Sequence, residues 1–264
     1  MPSSDILVVL PTLGDRLEML AKTLETVDEQ RESVSLTLVV VLPEGADQAR
    51  ALAEGAGAVV VDDPKTGISD AINRGLAART TETYYAWIGD DDLFRPGGLA
   101  RLQRMLDAEP GAVLAYGGCD YIDPNGTTIA TSNAGRLAQF LLPWGPDLIP
   151  HPGTMIRLDA LESIGGFDSA LRYAMDLDAF LKLRSHGSFL CTRESVSAFR
   201  WHPDSLTVAG RRNSSRESEA VKRSHLPRAL RSISPVWDLP IRWASAFAAR
   251  RLSERARRLL SAHA

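Results

Sequence analysis

The chain has 264 residues, of which 44% are hydrophobic and 24% are charged, a composition typical of a globular protein with a sizeable core. Its apolar runs are shorter than the ~18–20 residues that a membrane-spanning helix needs, so the sequence does not predict an integral membrane protein. The only cysteines are Cys119 and Cys191, which excludes a disulfide framework and a CxxC zinc site and makes a reducing cytoplasm the expected compartment.

The charge is unevenly distributed along the chain. Residues 200–264 contain 14 basic and five acidic residues and carry +9, whereas residues 1–199 carry −12. This asymmetry indicates an acidic body, suited to a metal-binding cleft, joined to a tail suited to an anionic surface. A solvated basic helix without a partner explains the tail equally well.

Strand and helix patterns alternate through the first 118 residues. Continuous apolar runs rich in β-branched residues predict buried strands of a parallel sheet at 5–11 and 35–43, and further strands are predicted at 58–63, 83–92 and 112–118. Helical periodicity predicts helices at 15–30, 44–55, 67–78 and 97–108. The alternation predicts a three-layer α/β fold with a mostly parallel central sheet.

The pattern changes after residue 118. Asn125-Gly126 predicts a two-residue hairpin turn, and a polar stretch at 202–218 leads into a helical one at 219–260. We therefore expect one domain at 1–210, made of halves at 1–118 and 119–210, and a basic helical extension at 211–264. The phosphate loop of P-loop NTPases and the G-x-G-x-x-G of dinucleotide-binding domains are both absent from the sequence.

The candidate site lies where the predicted strands end, because ligands of open parallel sheets bind beyond the carboxyl ends of the strands. Asp90, Asp91 and Asp92 follow the fourth strand. Three adjacent carboxylates repel one another, and Mg²⁺ or Mn²⁺ would relieve the repulsion while bridging to a substrate diphosphate. An acidic turn or a helix N-cap explains the same residues equally well.

Other chemically active residues give weaker signals. Asp176 and Asp178 begin a predicted helix, from which they would point in different directions. His151 and His202 each lie beside a proline at the edge of an element, where a histidine is more often a packing residue than a ligand. By themselves these residues do not identify a function.

Five stretches in one order resemble the family 2 glycosyltransferases, which have the Rossmann-like GT-A fold, over about residues 5–205. They are VVLPTLGDR, DDPKTGISDAINRGLAART, YYAWIGDDDLFRPGGLARL, AYGGCDYIDPNG and HPGTMIRLDALESIGGFDSALRYAMDLDAFLKLRSHG. The resemblance implies an inverting, Mn²⁺- or Mg²⁺-dependent transfer of a sugar from a UDP- or dTDP-sugar to an acceptor hydroxyl. It implies a role in bacterial polysaccharide or glycoconjugate synthesis, with a sugar or lipid-linked acceptor and without nucleic acid.

The resemblance also implies roles for individual residues. Asp176 matches the catalytic base of inverting members. Gly89 stands where some members have the first aspartate of the D-x-D metal-binding motif, so the register of that motif stays open. The implied nucleotide-sugar pocket consists of Thr12, Asp63, Asp70, Asn73, Asp90 and Asp91. The implied metal ligands are Asp90, Asp92 and His202, and the implied acceptor-side residues are His151 and Asp178.

Two other functions stay open at this point. One is a sugar nucleotidyltransferase of similar shape, although PTLGDR lacks the Gly-rich signature usual near the first strand of that class. The other is a non-catalytic nucleotide- or carbohydrate-binding module. The tail from about residue 235 has apolar residues at helical spacing among arginines, which favours a cytoplasmic protein peripheral on the inner face of the cell membrane. Packing of this helix on the body, or on a second copy in a homodimer, is the alternative.

Overall fold

The computed structural model of the protein describes residues 5–133, 135–201 and 211–262. Its strands are β1 (Ile6–Pro11), β2 (Leu36–Leu42), β3 (Val59–Asp62), β4 (Tyr84–Trp87), β5 (Leu93–Phe94), β6 (Ala112–Ile122), β7 (Thr128–Ser132), β8 (Thr154–Arg157) and β9 (Ser188–Arg200). Its helices are α1 (Leu17–Gln30), α2 (Asp47–Gly55), α3 (Ile68–Ala77), α4 (Gly98–Ala108), α5 (Arg136–Leu141), α6 (Leu158–Ser163), α7 (Met175–Leu183), α8 (Arg211–His225), α9 (Arg228–Arg231) and α10 (Pro235–Ala262), with a 3₁₀ turn at His151–Gly153.

The strands form one sheet with the order β3-β2-β1-β4-β8-β6-β9-β5, and β7 pairs with β6 at its side. Strands β1 to β4 are parallel to one another, as the buried apolar runs predict. The second half adds β8, which runs antiparallel between β4 and β6, and β9, which runs parallel to β6. The predicted α/β fold with a mostly parallel sheet is confirmed.

Both faces of the sheet are covered, so the fold has three layers. Alternate residues of β1 point to opposite sides, as the period of a strand requires. Ile6, Val8 and Leu10 pack in one core with residues of α1, α2 and α4. Leu7 and Val9 pack in the other with residues of α3, α6 and α7. The two cores hold the carboxyl ends of β1 and β4 side by side.

Two predicted elements differ from the structure. The strand predicted at 83–92 ends at Trp87, and Asp90–Asp92 lie in a turn closed by a bond from the N–H of Asp92 to the carbonyl of Gly89, 3.2 Å long. The turn buries Asp90 and Asp92 beside hydrogen-bond partners, Thr12 and the N–H of Arg200, which a buried carboxylate needs. The hairpin at Asn125-Gly126 exists between β6 and β7, but its loop has five residues, because the Asp123 carboxylate binds the N–H groups of Asn125 and Thr127.

The C-terminal helices pack on the second half of the chain. Helix α8 lies against α7 and contributes Val221 to the core, and α10 contacts β7. The predicted polar stretch 202–218 is therefore helical from Arg211 onward. Within the described ranges, we find no helix with both the length and the apolar character needed to cross a bilayer.

Candidate active site

A cleft of about 310 Å³ opens at the carboxyl ends of β1 and β4. Asp90, Asp91 and Asp92 line it as one group, and Asp176 and His151 line it as a second group. The antiparallel pairing of β4 with β8 explains the second group, since the amino end of β8 lies beside the carboxyl end of β4. The cleft thus joins residues that are far apart in the sequence and were predicted from separate motifs.

The first two aspartates of the turn are held from the end of β1. The hydroxyl of Thr12, the residue after β1, donates to Asp90 Oδ2 at 2.5 Å. The Arg16 guanidinium at the start of α1 lies 2.6 Å from Asp90 Oδ1 and 2.5 Å from Asp91 Oδ2. Asp90 is almost fully buried by these contacts. Arg16 therefore offsets part of the negative charge of the turn.

Asp92 and its neighbours are held from the end of β9. The backbone N–H of Arg200 donates to Asp92 Oδ1 at 2.9 Å, and the Arg200 guanidinium donates to the carbonyl of Asp91 at 2.8 Å. The Thr23 hydroxyl of α1 donates to the carbonyl of Asp92 at 2.7 Å. These contacts fix the backbone of the turn rigidly between α1 and β9.

The acidic turn retains more negative charge than its surroundings neutralise. Burial raises the pKa of Asp90 to about 6, although the Arg16 charge and the Thr12 hydrogen bond oppose this rise. Burial also raises the pKa of Asp92 well above its ordinary value, and the neighbouring charge of Asp91 adds to the effect. A divalent cation at the turn would reverse both shifts.

The turn has room for such a cation beside Gly89. A Cβ added at Gly89 would lie 3.1 Å from Asp91 Oδ1 and 3.2 Å from Asp92 Oδ2, so both carboxylate oxygens face the space that glycine leaves open. Carboxylate oxygens are the ligands that Mg²⁺ and Mn²⁺ prefer. The donor set fits these ions, although in the described part of the chain no three acidic, histidine or cysteine side chains yet surround one point. His202, a predicted ligand, lies outside the described residues.

Asp176 stands in the first turn of α7, with 24% of its side chain exposed to the cleft. Its Oδ2 lies 3.7 Å from Nδ1 of His151, whose ring stacks on Trp87 at a centroid distance of 4.2 Å. Burial lowers the pKa of His151 well below its ordinary value, so the ring is neutral. Burial raises the pKa of Asp176 to about 7, and the charges of Asp147 and Glu217 contribute to the rise.

Asp63 and Asp70 lie beside the cleft without lining it. Asp63 follows β3 and accepts the N–H of Lys65 at 2.8 Å, and Asp70 binds the Thr66 hydroxyl in the first turn of α3. Ile68, between the two aspartates, lines the cleft.

Asn73 and Asp178 are engaged in packing contacts. The Asn73 amide donates to the carbonyl of Phe167 at 2.6 Å and accepts its N–H at 3.0 Å, which holds the Gly-Gly-Phe loop on α3. Asp178 lies on another side of α7 than Asp176, 2.7 Å from Lys182 Nζ and 2.8 Å from His225 Nε2. Neither side chain belongs to the lining of the cleft.

The sequence analysis did not single out several residues that build the cleft. Arg16 comes soon after the first strand. A cation near one strand end, when three aspartates follow another, was a signal that the two could pair. Tyr121, Phe199 and Trp201 form a cluster of mutually tilted rings, with centroids 6.0 to 6.4 Å apart, along one wall. Their alternate spacing on β6 and at the end of β9 became informative only once the two strands were seen to be paired.

The comparisons with known proteins agree with this architecture. The model of the family described as Glycosyl transferase family 2 matches residues 7–165. No curated protein sequence matches the chain.

Several solved structures share the fold. S. aureus TarS 1–349, in complex with UDP-GlcNAc, is 13% identical over 86% of this chain and 69% of that one, with a TM-score of 0.66. The mannosyltransferase PcManGT from Pyrobaculum calidifontis, in complex with GDP-Man and Mn²⁺, is 19% identical over 99% and 81%, with a TM-score of 0.64. Glucosyl-3-phosphoglycerate synthase from Mycobacterium tuberculosis, with Mn²⁺, UDP and phosphoglyceric acid, is 21% identical over 84% and 78%, with a TM-score of 0.60. At these identities the likeness shows the fold.

Proposed function

Because the chain belongs to glycosyl transferase family 2, we propose that it is an inverting glycosyltransferase that moves a sugar from a nucleotide-diphosphate sugar to an acceptor hydroxyl. The observation that carries the proposal is that the acidic turn Asp90–Asp92 and Asp176 line the same cleft. The first group suits the donor diphosphate, and the second suits the attacking hydroxyl. The cleft volume of about 310 Å³ lies at the lower end of the range usual for small-molecule sites.

On the donor side, Asp91 and Asp92 would hold Mn²⁺ or Mg²⁺ beside Gly89, with His202 as a further predicted ligand. When bound, the ion supplies Lewis-acid stabilisation of the diphosphate leaving group. Asp90 is bound by Thr12 and Arg16, so in this proposal it fixes the turn and orients Arg16 toward the donor. The Mn²⁺ complexes of two proteins with the same fold support the choice of cofactor.

The nucleotide would extend from the end of β1 toward the start of α3. Ile68 lines this part of the cleft, and Asp63 and Asp70 stand on either side of it, where they can accept hydrogen bonds from ribose or base. Asn73 contributes indirectly, by holding the loop at Phe167. A uridine or thymidine diphosphate sugar remains the proposed donor, and the UDP-sugar complex of a protein with the same fold supports it.

Asp176 is the proposed catalytic base. Its carboxylate takes the proton of the acceptor hydroxyl as that oxygen attacks the anomeric carbon from the face opposite the leaving diphosphate, which inverts the configuration. His151, whose Nδ1 lies 3.7 Å from Asp176 Oδ2, is proposed to lie on the acceptor side. Because burial keeps its ring neutral, it does not form an ion pair with Asp176. With a pKa raised to about 7, the carboxylate is a stronger base than an exposed aspartate and is still largely ionised above neutral pH.

The acceptor is proposed to be a sugar, free or lipid-linked, in polysaccharide or glycoconjugate synthesis. The rings of Tyr121, Phe199 and Trp201 offer an apolar wall on which a pyranose can stack. Trp87 and His151 line the same cleft, and Trp87 Nε1 and His151 Nε2 are buried without a hydrogen-bond partner among the described residues. Asp178 is paired with Lys182 and His225 and is not part of this proposal.

The test of the proposed function is transfer by purified protein. Thermal-shift screening against nucleotide sugars, with and without Mn²⁺, identifies the donor, and product analysis with sugar acceptors follows. Asp176→Asn should abolish transfer while donor binding persists, and Asp159→Asn, an exposed aspartate of α6, should behave as wild type. Wild-type turnover by Asp176→Asn contradicts the base assignment. Release of inorganic pyrophosphate from a nucleoside triphosphate would indicate the nucleotidyltransferase, and binding without any turnover would indicate the non-catalytic module.

We also propose that α10 attaches the protein peripherally to an anionic membrane on its cytoplasmic side. Helix α10 contacts β7, and a stripe of apolar residues at helical spacing on α10 is exposed. Its residues, with their exposed fractions, are Val236 (75%), Leu239 (50%), Trp243 (77%) and Phe247 (60%). The Arg251 guanidinium lies 4.9 Å from the ring of Phe247, and the arginines around it are exposed. Aromatic residues beside arginines are typical of helices that lie in the headgroup region of anionic bilayers.

Vesicle flotation tests the membrane proposal. Wild-type protein should float with phosphatidylglycerol-containing vesicles and not with phosphatidylcholine alone, and the double variant Trp243→Ser/Phe247→Ser should not float. The control Leu137→Ser/Phe140→Ser removes two exposed apolar residues from α5 and should float as wild type. Equal flotation of the two double variants contradicts the proposal. A dimer by light scattering that only the α10 variant dissociates would identify a second copy of the chain as the partner of the stripe.

A further inference from the structure

Helix α8 holds the segment that leads into α7. The backbone N–H groups of Arg172, Tyr173 and Ala174 all donate to one oxygen, Oε1 of Glu217, at 3.0, 2.6 and 2.8 Å. A carboxylate that accepts several backbone N–H groups makes strong, charge-assisted hydrogen bonds. Three consecutive amides are thereby oriented toward a single point on a helix more than forty residues farther along the chain.

The segment held by Glu217 is part of the cleft. Arg172 and Tyr173 line it, and Ala174 is the residue before the first turn of α7. Asp176 follows two residues later, and its Oδ1 accepts the N–H of Leu177, which ties the carboxylate to the same turn. The position of the Asp176 carboxylate therefore depends on a backbone segment whose N–H groups donate to Glu217.

Two more contacts attach α8 to the same region. His225 Nε2 lies 2.8 Å from Asp178 Oδ1 on the far side of α7. Lys222 donates to the carbonyl of Gly145, and its charge lies near that of Asp147, in the loop before the 3₁₀ turn. Helix α8 is thus bound both to the helix that carries Asp176 and to the loop that leads to His151.

Glu217 also acts on Asp176 through its charge. The groups that face Asp176 are His151 from the 3₁₀ turn, Asp147 from the loop before it, Glu217 from α8 and Tyr85 from β4. His151 is neutral and Tyr85 stays protonated, because burial shifts the pKa of each away from the neutral range. Burial is the largest cause of the raised pKa of Asp176, and the negative charges of Asp147 and Glu217 add to it.

We infer that Glu217 is a positioning residue of the transfer reaction, which fixes the 172–174 segment and thereby the Asp176 carboxylate. Its hydrogen bonds among the described residues go to backbone N–H groups, and it does not line the cleft, so its proposed role is exerted through Asp176. The domain that carries the proposed active site then extends at least to His225, beyond the boundary predicted at residue 210. The inference rests on the proposed role of Asp176 as base.

The experiment compares two variants of Glu217 with a neighbour on the same helix. Glu217→Ala removes the acceptor of three hydrogen bonds, and we expect kcat to fall about tenfold or more with donor affinity unchanged, since small misplacements of a reacting group cost that much. Glu217→Gln keeps an oxygen for the N–H groups but loses the charge, so the acid limb of the kcat/KM profile should move to lower pH. The control is Glu219→Gln, which loses a charge and an ion pair with Arg242 but does not contact the 172–174 segment.

A second measurement is independent of turnover. Hydrogen exchange of the 172–174 amides should accelerate in Glu217→Ala and stay slow in Glu219→Gln. Wild-type kcat together with wild-type exchange in Glu217→Ala overturns the inference. If Glu217→Ala does not fold, an unshifted acid limb in folded Glu217→Gln overturns it instead. If the wild-type protein shows no transfer with any donor, the proposed function fails, whereas the exchange result still decides whether Glu217 holds the segment.

Discussion

The electrostatic environment of Asp176 makes a quantitative prediction for the pH dependence of transfer. The structure is that of the free protein, whose ionisations appear in kcat/KM. With a pKa of about 7, Asp176 is deprotonated in about one tenth of the molecules at pH 6 and in about nine tenths at pH 8. Because the base must be deprotonated to accept a proton, kcat/KM at saturating Mn²⁺ should fall about tenfold from pH 8 to pH 6. An ordinary, exposed aspartate would leave this range flat.

Asp147→Asn tests the cause of that pKa. The substitution removes a negative charge that raises the pKa of Asp176, so the acid limb should move to lower pH. For a displacement of about one unit, the ratio of kcat/KM at pH 6 to that at pH 8 rises from about one tenth to about one half.

The assay follows release of the nucleoside diphosphate in a coupled reaction, with the coupling enzymes in excess at each pH. Asp28→Asn, at a side chain that is 75% exposed on α1, is the matched control and should leave the limb in place. A wild-type profile that is flat between pH 6 and 8, or equal profiles of the two variants, refutes the electrostatic argument.

The structure makes three further predictions. Arg16→Gln removes the cation beside the acidic turn, so Mn²⁺ should raise the melting temperature of this variant more than that of wild type; an equal rise speaks against a cation site at the turn. Asn73→Ala leaves the N–H and carbonyl of Phe167 without their amide partner and should lower the free energy of unfolding by about 1–3 kcal/mol in urea titrations, whereas no loss would mean that the loop is held otherwise. Gly75→Ala places a methyl 2.4 Å from the Val9 side chain of β1 and should lower the free energy of unfolding by about 1–3 kcal/mol. The control Gly55→Ala meets open space and should leave the free energy of unfolding unchanged or raise it slightly. Equal stabilities of the two variants would contradict the packing of α3 on the sheet.

The fold was largely predictable because its signals are local. The β-branched runs at 5–11 and 35–43 can only be buried strands, and the alternation with helices leaves few arrangements other than a parallel sheet with helices on both faces. The strand predicted at 83–92 was too long for the opposite reason. The apolar pattern ends at Ile88. The chain then turns so that the buried Asp90 and Asp92 meet Thr12 and the N–H of Arg200, partners that a periodicity argument does not weigh.

Some predicted site residues, such as Asp90–Asp92, Asp176 and His151, line one cleft, but their contacts were not predictable from the sequence. The sequence placed Asp90, Asp91 and Asp92 together, yet the direction of each side chain depends on a turn whose partners come from α1 and β9. Asp178 and Asp176 gave similar signals in the sequence. Lys182, four residues after Asp178 on the same helix, was a local sign that Asp178 is paired, and its second partner, His225, depends on the position of α8.

Glu217 had no local signal at all. Its partners are backbone amides more than forty residues away in the sequence. An acidic residue on a helix predicted to lie at the surface gives no indication of such partners. Long-range contacts of this kind become visible only when the helices are packed.

The most direct test of the account is a crystal structure with Mn²⁺ and the nucleotide sugar that the thermal-shift screen selects. The account predicts an anomalous Mn²⁺ peak beside Gly89, bound by Asp91 and Asp92 and by the donor diphosphate, with the anomeric carbon facing Asp176 across the cleft. Density for the diphosphate at another edge of the sheet, or an anomeric carbon turned away from Asp176, would contradict it.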